Sequence, residues 1–174
     1  MIFSDMDGVL ARYDRKGFIL REDGSMPFMD EGIHYFSKCE PDYRMIDACD
    51  LISADHDFAV MSNIMDDKRT EKEHTEDKTM WSKKKMPFLD VNKQLYIIKE
   101  PKYKMAERLL NRPLEKTDVL ISDYKNDLYP WIEAGGTAIK YLNGLNDPNS
   151  YPGPKITPEM EPEEIKRYVE FFIA

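Results

Sequence analysis

Cysteine, histidine and glycine are scarce in this chain. Its 174 residues include two cysteines, three histidines and eight glycines. Cys39 and Cys49 do not form a CxxC pair and are too few for a disulfide framework, so we expect reduced thiols in a cytoplasmic protein. His34, His56 and His74 are scattered without the spacing of metal ligands, so we expect structural or exposed positions for them.

The sequence also lacks long apolar runs and basic tracts. No apolar run approaches the roughly 20 residues that span a bilayer, and Asp5 and Asp7 interrupt the N-terminal apolar run too early for a signal peptide. We therefore expect no membrane association. The net charge is −8, and binding to duplex nucleic acid would need clustered Lys and Arg, which disfavours that role. A small phosphorylated substrate remains compatible, because a bound divalent cation reverses the local field.

Apolar residues make up 41% of the chain, which is enough for the core of a single domain. Short apolar runs predict five buried strands, at residues 2–4, 58–61, 95–98, 119–121 and 137–140. Helical patterns lie between and after these strands; Gly135 and Gly136 predict the C-terminal cap of one helix, and Pro162 opens the last. This alternation predicts an α/β fold with a parallel sheet, right-handed crossovers and helices on both faces, a three-layer Rossmann-like core.

Two stretches do not fit the alternation, and one predicted helix has an unusual composition. Residues 11–42 mix aromatic side chains with Gly, Pro and charged residues, and we interpret them as a small cap inserted after the first strand. Its aromatic residues are predicted to cluster, with one or two able to contact a nucleobase; they are Phe18, Phe28, Tyr35 and Phe36. Residues 70–85 are highly charged and predict a surface helix. Residues 143–160 predict a loop that runs to the final helix.

Polar side chains follow the predicted strands at the points where the strands end. Asp5 and Asp7 follow the first strand. In an open parallel sheet, ligands bind beyond the carboxyl ends of the strands, so residues after the other strands should lie at the same edge. Those residues are Ser62 and Asn63 after the second strand, Lys99, Lys102 and Lys104 after the third, and Ser122, Asp123 and Asp127 after the fourth.

Carboxylates, a hydroxyl and a lysine at one edge suit phosphoryl transfer, which depends on positioning and charge stabilisation. One carboxylate can attack phosphorus and form an aspartyl-phosphate. A second carboxylate nearby can protonate the leaving oxygen and then activate water. A site with few carboxylate ligands suits Mg²⁺, which keeps several waters.

These residues carry a resemblance to a known family. Segment 5–9, Asp-Met-Asp-Gly-Val, resembles the first motif of the haloacid dehalogenase superfamily of phosphatases. Ser62 resembles the second motif, a lysine before the fourth strand the third, and segment 122–127, Ser-Asp-Tyr-Lys-Asn-Asp, the fourth. The match runs in the expected order from the N-terminus to about Gly144.

The resemblance implies a role for each matching residue. Asp5 is the implied nucleophile and a Mg²⁺ ligand. Asp7 is the implied general acid and base, with its backbone carbonyl on the metal. Ser62, with Asn63 beside it, is implied to bind the transferring phosphate. Asp123 is the implied second carboxylate on Mg²⁺.

Two assignments in this set keep alternatives. Lys102 has the spacing expected for the phosphate-binding lysine, at the start of a predicted helix, while Lys99 and Lys104 remain candidates. Asp127 is implied to act on Mg²⁺ through water, as in the Asp-x-x-x-Asp form of the fourth motif. Ser122 stands where nucleotidase-like relatives often have a further aspartate.

A narrower resemblance concerns the substrate. Segments 5–11, 116–121, 131–136 and 139–144 are similar to the 5′(3′)-deoxyribonucleotidase-like branch. That branch implies a small cap and hydrolysis of nucleoside monophosphates, deoxynucleoside monophosphates among them. The alternatives are a phosphatase of another small metabolite, such as a sugar phosphate, and a catalytically idle domain that binds phosphate, metal or protein. The presence of both Asp5 and Asp7 argues against an idle site.

Overall fold

The computed structural model describes residues 1–13, 22, 36–65 and 69–174, and these residues form an α/β domain. The strands are β1 (Ile2–Asp5), β2 (Ala11–Arg12), β3 (Glu40–Pro41), β4 (Phe58–Asn63), β5 (Leu95–Ile98), β6 (Val119–Ser122), β7 (Thr137–Tyr141) and β8 (Lys155–Ile156). The α-helices are α1 (Tyr43–Asp55), α2 (Glu71–Lys85), α3 (Lys102–Leu110), α4 (Lys125–Glu133) and α5 (Pro162–Glu170). Among the described helices, none is long and apolar enough to cross a membrane.

The main sheet is parallel, with the strand order β5-β4-β1-β6-β7-β8. Its central strand β1 lies between β4 and β6, with Ile2 opposite Phe58 on one side and Val119 on the other. The carboxyl ends of β1, β4 and β6 therefore meet at one edge, which brings Asp5, the end of β4 and the end of β6 together. The α/β fold predicted from the sequence is confirmed.

The sheet is buried on both faces, because neighbouring residues of each strand belong to different clusters. Ile2 packs into a large cluster with residues of α1 and α5, whereas Phe3 packs into a second cluster with residues of α3 and α4. Trp131 of α4 lies edge-on against Phe3 at 5.3 Å between ring centroids. Burial on two faces explains why these strands are continuous apolar runs and do not alternate with polar residues.

The five predicted strands are present in the main sheet, whose sixth strand the sequence does not predict. We expected a loop over residues 143–160, but this stretch contains the two-residue strand β8, which pairs with β7 at the sheet edge. The neighbouring loop is held by Lys140, which is fully buried. Its Nζ donates to the carbonyl of Asp147 at 2.6 Å and to Ser150 Oγ at 2.6 Å. So short a strand has no sequence period of its own, and the signal of loop residues around it dominates.

The helix over residues 71–85 exists, but its prediction as a surface helix is wrong for one face. Thr70 and Glu73 form a capping box at its start, which explains why so charged a segment is helical. Five of its residues are buried: His74, Asp77, Lys78, Trp81 and Ser82. They recur at helical spacing, so α2 has an inward face that is mostly polar.

Both ends of the predicted cap lie among the described residues. Strands β2 and β3 pair antiparallel, Ala11 opposite Pro41, and so join the two ends of the predicted insertion. Asp77 of α2 accepts the backbone N–H groups of Phe36 and Ser37 at 2.7 and 3.1 Å. The remainder of the predicted cap, including Phe18, Phe28, Tyr35 and His34, lies outside the described residues, and the cap stays a prediction.

Candidate active site

Asp5 is the last residue of the central strand and is 4% exposed. Its Oδ1 accepts the backbone N–H of Met6 at 2.8 Å, and its Oδ2 accepts from Ser122 Oγ at 3.0 Å. Burial raises the pKa of Asp5 to about 8, against the opposing effect of Lys102, and three neighbouring carboxylates add to the rise. The protein alone therefore disfavours the charged form of this carboxyl group, and an added cation would favour it.

Lys102 is the lysine that the structure brings to Asp5. Its Nζ lies 2.8 Å from Asp5 Oδ2 and 2.5 Å from Asp127 Oδ2. Burial would lower the pKa of Lys102, but the two carboxylates outweigh it and raise the pKa above its ordinary value. Of the alternatives, Lys99 pairs with Glu71 and Lys104 is exposed, away from the aspartates.

Asp7 lies beside Asp5 with different partners. Its Oδ2 accepts from Ser62 Oγ at 2.8 Å and from Lys78 Nζ at 2.7 Å. Its Oδ1 is buried, and no described residue donates a hydrogen bond to it. One oxygen of Asp7 is therefore fixed by two donors, and the other has no hydrogen-bond partner among the described residues.

Lys78 is the functional candidate that the sequence analysis missed. It is fully buried, and its Nζ also lies 2.6 Å from Ser62 Oγ and 2.7 Å from the carbonyl oxygen of Asn63. The ring of Phe36 lies 4.9 Å from the same nitrogen. The signal that could have found it was its position three residues before Trp81, on the face of α2 that the tryptophan marks as inward.

Asn63 follows Ser62 on β4, but its side chain points to a different group. Its Nδ2 donates to the carbonyl of Glu100 at 3.2 Å, which links the ends of β4 and β5. Its main-chain oxygen accepts from Lys78. The structure thus places the backbone of Asn63 at the site, and the phosphate-binding role of its side chain stays a prediction.

Asp123 follows β6 and is 6% exposed. Its Oδ2 accepts from Asn143 and Asn146, each at 2.6 Å. Burial raises the pKa of Asp123 to about 6, although the hydrogen bond from Asn143 opposes the rise. Gly8 adopts φ +75°, and a Cβ there would lie 2.4 Å from Asp123 Oδ2. Glycine is therefore needed at position 8, because the loop after β1 passes directly against this carboxylate.

Asp127 lies in the first turn of α4 and joins the group around Asp5. Its Oδ2 is bonded to Lys102 and to Ser122 Oγ, the latter at 3.1 Å. Ser122 occupies the position where nucleotidase-like relatives often have a further aspartate. Its hydroxyl lies within hydrogen-bond distance of both Asp5 and Asp127 and so connects them. Because Asp127 Oδ2 already has these two partners, its action on a metal through water stays a prediction.

The site contains more carboxylates than cations. Four carboxylates (Asp5, Asp7, Asp123 and Asp127) face two buried lysines (Lys78 and Lys102). In the described residues, no group of three or more His, Cys, Asp or Glu side chains is arranged to hold a metal on its own. Mg²⁺ needs fewer, since it is commonly held by one or two carboxylates with waters and substrate phosphate. Excess buried negative charge and hard oxygen donors fit such an ion, with Asp5, Asp123 and the backbone of Asp7 as the residues that would hold it.

Comparison with known proteins identifies the fold. No protein-family model and no curated protein matches the chain. A hydrolase from Pseudomonas syringae is similar in structure at 11% identity and TM-score 0.62, with 99% of both chains covered. A family IA haloacid dehalogenase-type hydrolase from Entamoeba histolytica has 12% identity and TM-score 0.62, with 97% of this chain and 98% of that chain covered.

A haloacid dehalogenase-like hydrolase from Streptococcus pneumoniae has 15% identity and TM-score 0.61, with 96% of each chain covered. These similarities extend over nearly the whole of each chain, so they concern the complete arrangement of sheet and helices and not a shared fragment. The chain has the fold of the haloacid dehalogenase-type hydrolases.

Proposed function

We propose that this protein is a Mg²⁺-dependent phosphomonoester hydrolase that acts through an aspartyl-phosphate. The observation that carries the proposal is the pairing of two neighbouring aspartates with two buried lysines at the end of the central strand. Burying four charged groups lowers the stability of the fold, and we expect such a cost mainly where a functional site requires these groups. The order of the motifs along the chain and the fold of the structural neighbours support the same reaction.

In the first step, Asp5 is the nucleophile. Its carboxylate oxygen forms a bond to phosphorus as the bond from phosphorus to the leaving oxygen breaks. Asp7 gives its proton to that leaving oxygen, which becomes an alcohol. The unpaired Oδ1 of Asp7 is the atom suited to carry this proton. Lys102, Ser62 and Lys78 supply the nearest donors for the charged phosphoryl oxygens, and Ser62 and Lys78 would turn from Asp7 to the phosphoryl group as it binds.

In the second step, water hydrolyses the aspartyl-phosphate. Asp7, now ionised, takes a proton from the water molecule while the oxygen of that water bonds to phosphorus. The bond between phosphorus and Asp5 breaks. Inorganic phosphate is released, and the carboxylate of Asp5 is restored. Lys102 compensates the negative charge that returns to Asp5, to which its Nζ is 2.8 Å away.

Bound Mg²⁺ would polarise the phosphoryl group and reduce its repulsion from the nucleophile. Asp5 and Asp123 are the carboxylates we assign to hold it. Both have a pKa raised by burial, to about 8 and about 6. Binding the ion would therefore release protons from these groups near neutral pH, because a cation stabilises their ionised forms.

The proposed substrates are small phosphate monoesters. Nucleoside monophosphates come first on sequence resemblance to the deoxyribonucleotidase-like branch, and phosphate esters of other small metabolites come second. A folded sample that is loaded with Mg²⁺ and hydrolyses neither an aryl phosphate nor any ester of these two classes would instead support the idle, binding-only alternative.

Asp5→Asn tests the reaction. The change is isosteric but removes the nucleophile, so we expect hydrolysis of an aryl phosphate to fall by at least ~10³-fold, while the circular dichroism spectrum is retained. Asp50→Asn, on the exposed face of α1, is the matched control and should keep full activity. Unchanged turnover in Asp5→Asn would remove Asp5 from the nucleophilic role.

Asp123→Asn tests the metal site. Loss of a charged ligand should raise the Mg²⁺ concentration needed for half-maximal activity by at least ~10-fold, since even losing an indirect partner of a metal ligand costs that much. A second measurement does not depend on activity. Mg²⁺ should raise the melting temperature of the unchanged protein, because a ligand of the folded state stabilises it, and should do so much less for Asp123→Asn. An equal shift in both proteins would place the ion elsewhere.

A further inference from the structure

A cavity of about 250 Å³ adjoins the candidate active site. It lies between the loop after β1, the start of α1 and the segment after β7. Gly8 and Asn143 line it and also belong to the site, because Asn143 Nδ2 donates both to the carbonyl of Gly8 at 2.8 Å and to Asp123. A molecule bound at Asp5 and Asp123 can therefore extend past these two residues into the cavity.

The charged residues that line this cavity are Arg12, Arg44 and Asp42. Arg12 Nε lies 3.2 Å from Asp42 Oδ2, so these two groups form an ion pair. Tyr141 OH donates to the same Asp42 oxygen at 2.5 Å. Asp42 is thus fully engaged, and the Arg12–Asp42 pair contributes little net charge.

The positive charge of Arg44 is not neutralised by Asp42, because Asp42 is already paired with Arg12. Its Nε is buried, and no described group accepts a hydrogen bond from it. Its guanidinium interacts with the Tyr141 hydroxyl, whose pKa burial raises to about 12, so the tyrosine stays neutral and does not compensate the charge. The exposed carboxylate of Glu159 is near enough to sense Arg44 but is not hydrogen-bonded to it. One donor of this guanidinium is therefore unsatisfied among the described residues, and no hydrogen-bonded carboxylate neutralises the positive charge of Arg44 at the cavity.

A cavity of about 250 Å³ has room for an acidic group carried on a few carbon atoms. The guanidinium fork is the donor that best matches a carboxylate or phosphate. The helix α1 begins here, at Tyr43, and its N-terminus is already capped by the carboxylate of Asp42, so the cavity's attraction for an anion comes from Arg44 and not from the helix dipole.

We propose that this cavity binds a second anionic group on the leaving group of the substrate, through the guanidinium of Arg44. The inference rests on the proposed phosphatase function and changes the order of its preferred substrates. The preferred substrates are then small phosphorylated acids or bisphosphates, ahead of nucleoside 5′-monophosphates, which have no second anionic group.

The test compares two substrates that differ in one group. 3-Phosphoglycerate carries a carboxylate where glycerol 3-phosphate carries a neutral hydroxymethyl group. For the unchanged protein with Mg²⁺, kcat/KM should be at least ~10-fold higher for 3-phosphoglycerate, the ratio that one charge-assisted hydrogen bond supplies. Arg44→Gln should remove most of this ratio, and Arg44→Lys, which keeps the charge, should keep part of it.

Arg167→Gln is the matched control. Arg167 lies on α5 next to Lys166, which pairs with Asp55 at the opposite end of α1 from Arg44. The ratio of specificity constants should be unchanged in this variant. A ratio near one in the unchanged protein, or an equal ratio in Arg44→Gln and Arg167→Gln, overturns the proposal even if both esters are hydrolysed.

Calorimetric titration separates this inference from the reaction itself. If neither ester is hydrolysed, the same two compounds are titrated into the unchanged protein and into Arg44→Gln. Tighter binding of 3-phosphoglycerate that is lost in Arg44→Gln supports the anion cavity and overturns only the hydrolysis. Equal binding of the two compounds, or no binding of either, overturns the cavity as well.

Discussion

Lys78 and Lys102 each pair with a different one of two neighbouring aspartates, Asp7 and Asp5. Lys102 contacts Asp5, whereas Lys78 contacts Asp7 and the hydroxyl of Ser62. Because each aspartate has its own cation and its own hydroxyl, the two carboxylates are in different environments although one residue separates them. Such a difference is what allows two like groups to act as nucleophile and proton donor.

Removing Lys78 should lower activity strongly. Lys78→Met keeps much of the side-chain volume but removes the ammonium group from Asp7 and Ser62, so we expect kcat/KM to fall by ~10²–10³-fold. Lys84→Met, on the exposed face of the same helix, should change it less than about twofold. Steady-state kinetics with an aryl phosphate measures both. Equal kinetics in the two variants would make Lys78 a structural residue only.

Element α2 shows how a charged segment can form part of a core. The indole of Trp81 packs edge-on against Phe36 at 5.8 Å between ring centroids, and its Nε1 donates to the carbonyl of Cys39 at 2.8 Å. With the Asp77 contacts to Phe36 and Ser37, these interactions fasten the chain before β3 to α2. The helix that carries Lys78 is thus fixed at the site by its neighbours along the inward face.

Two neighbouring residues of α2 should differ sharply in their effect on stability. Trp81→Ala empties a buried volume and removes the bond to Cys39, so the free energy of unfolding should fall by ~3–5 kcal/mol. Met80→Ala, at a position 58% exposed, should change it by less than ~0.5 kcal/mol. Urea denaturation followed by circular dichroism measures both values. Similar small effects would restore the interpretation of α2 as a surface helix.

At the scale of the whole molecule, an ion pair with a buried carboxylate lies at the opposite end of β6 from the site. Asp118 directly precedes β6 and is fully buried. Arg112 donates to both of its oxygens, at 2.6 and 3.0 Å. Burial raises the pKa of Asp118, but the hydrogen bonds from Arg112 and from the backbone of Glu115 outweigh it and hold the pKa below its ordinary value.

The stability of the protein should therefore depend on Asp118 in acid. A carboxyl group whose pKa is lower in the folded than in the unfolded state stabilises the fold above its unfolded pKa of about 3.9, and this contribution is lost as the pH falls through the folded pKa. Asp118→Asn should reduce the free energy of unfolding at pH 7 by ~2 kcal/mol and flatten its decline below about pH 4.

Denaturant titrations at several pH values measure this dependence. Glu76→Gln, an exposed partner of Lys72 on α2, is the control and should leave the acid limb unchanged. If Asp118→Asn and Glu76→Gln have the same pH dependence as the unchanged protein, the pair between Arg112 and Asp118 is not a source of acid sensitivity.

The sequence by itself determined the alternation of strands and helices, because strands buried on both faces produce short apolar runs that a single sequence displays. Asp5, Asp7, Ser62 and Asp123 could be placed at one edge for the same reason, since each directly follows such a run. The spacing favoured Lys102 and left Lys99 and Lys104 as alternatives, and only the tertiary structure shows that Lys102 is the one of the three that contacts Asp5. Lys78 lies on α2, whose buried face is mostly polar. Because hydrophobic periodicity marks only apolar faces, it does not predict that this face is buried. The cavity beside Gly8 depends on residues from four separate segments that meet only in the fold, so no local pattern of the sequence records it.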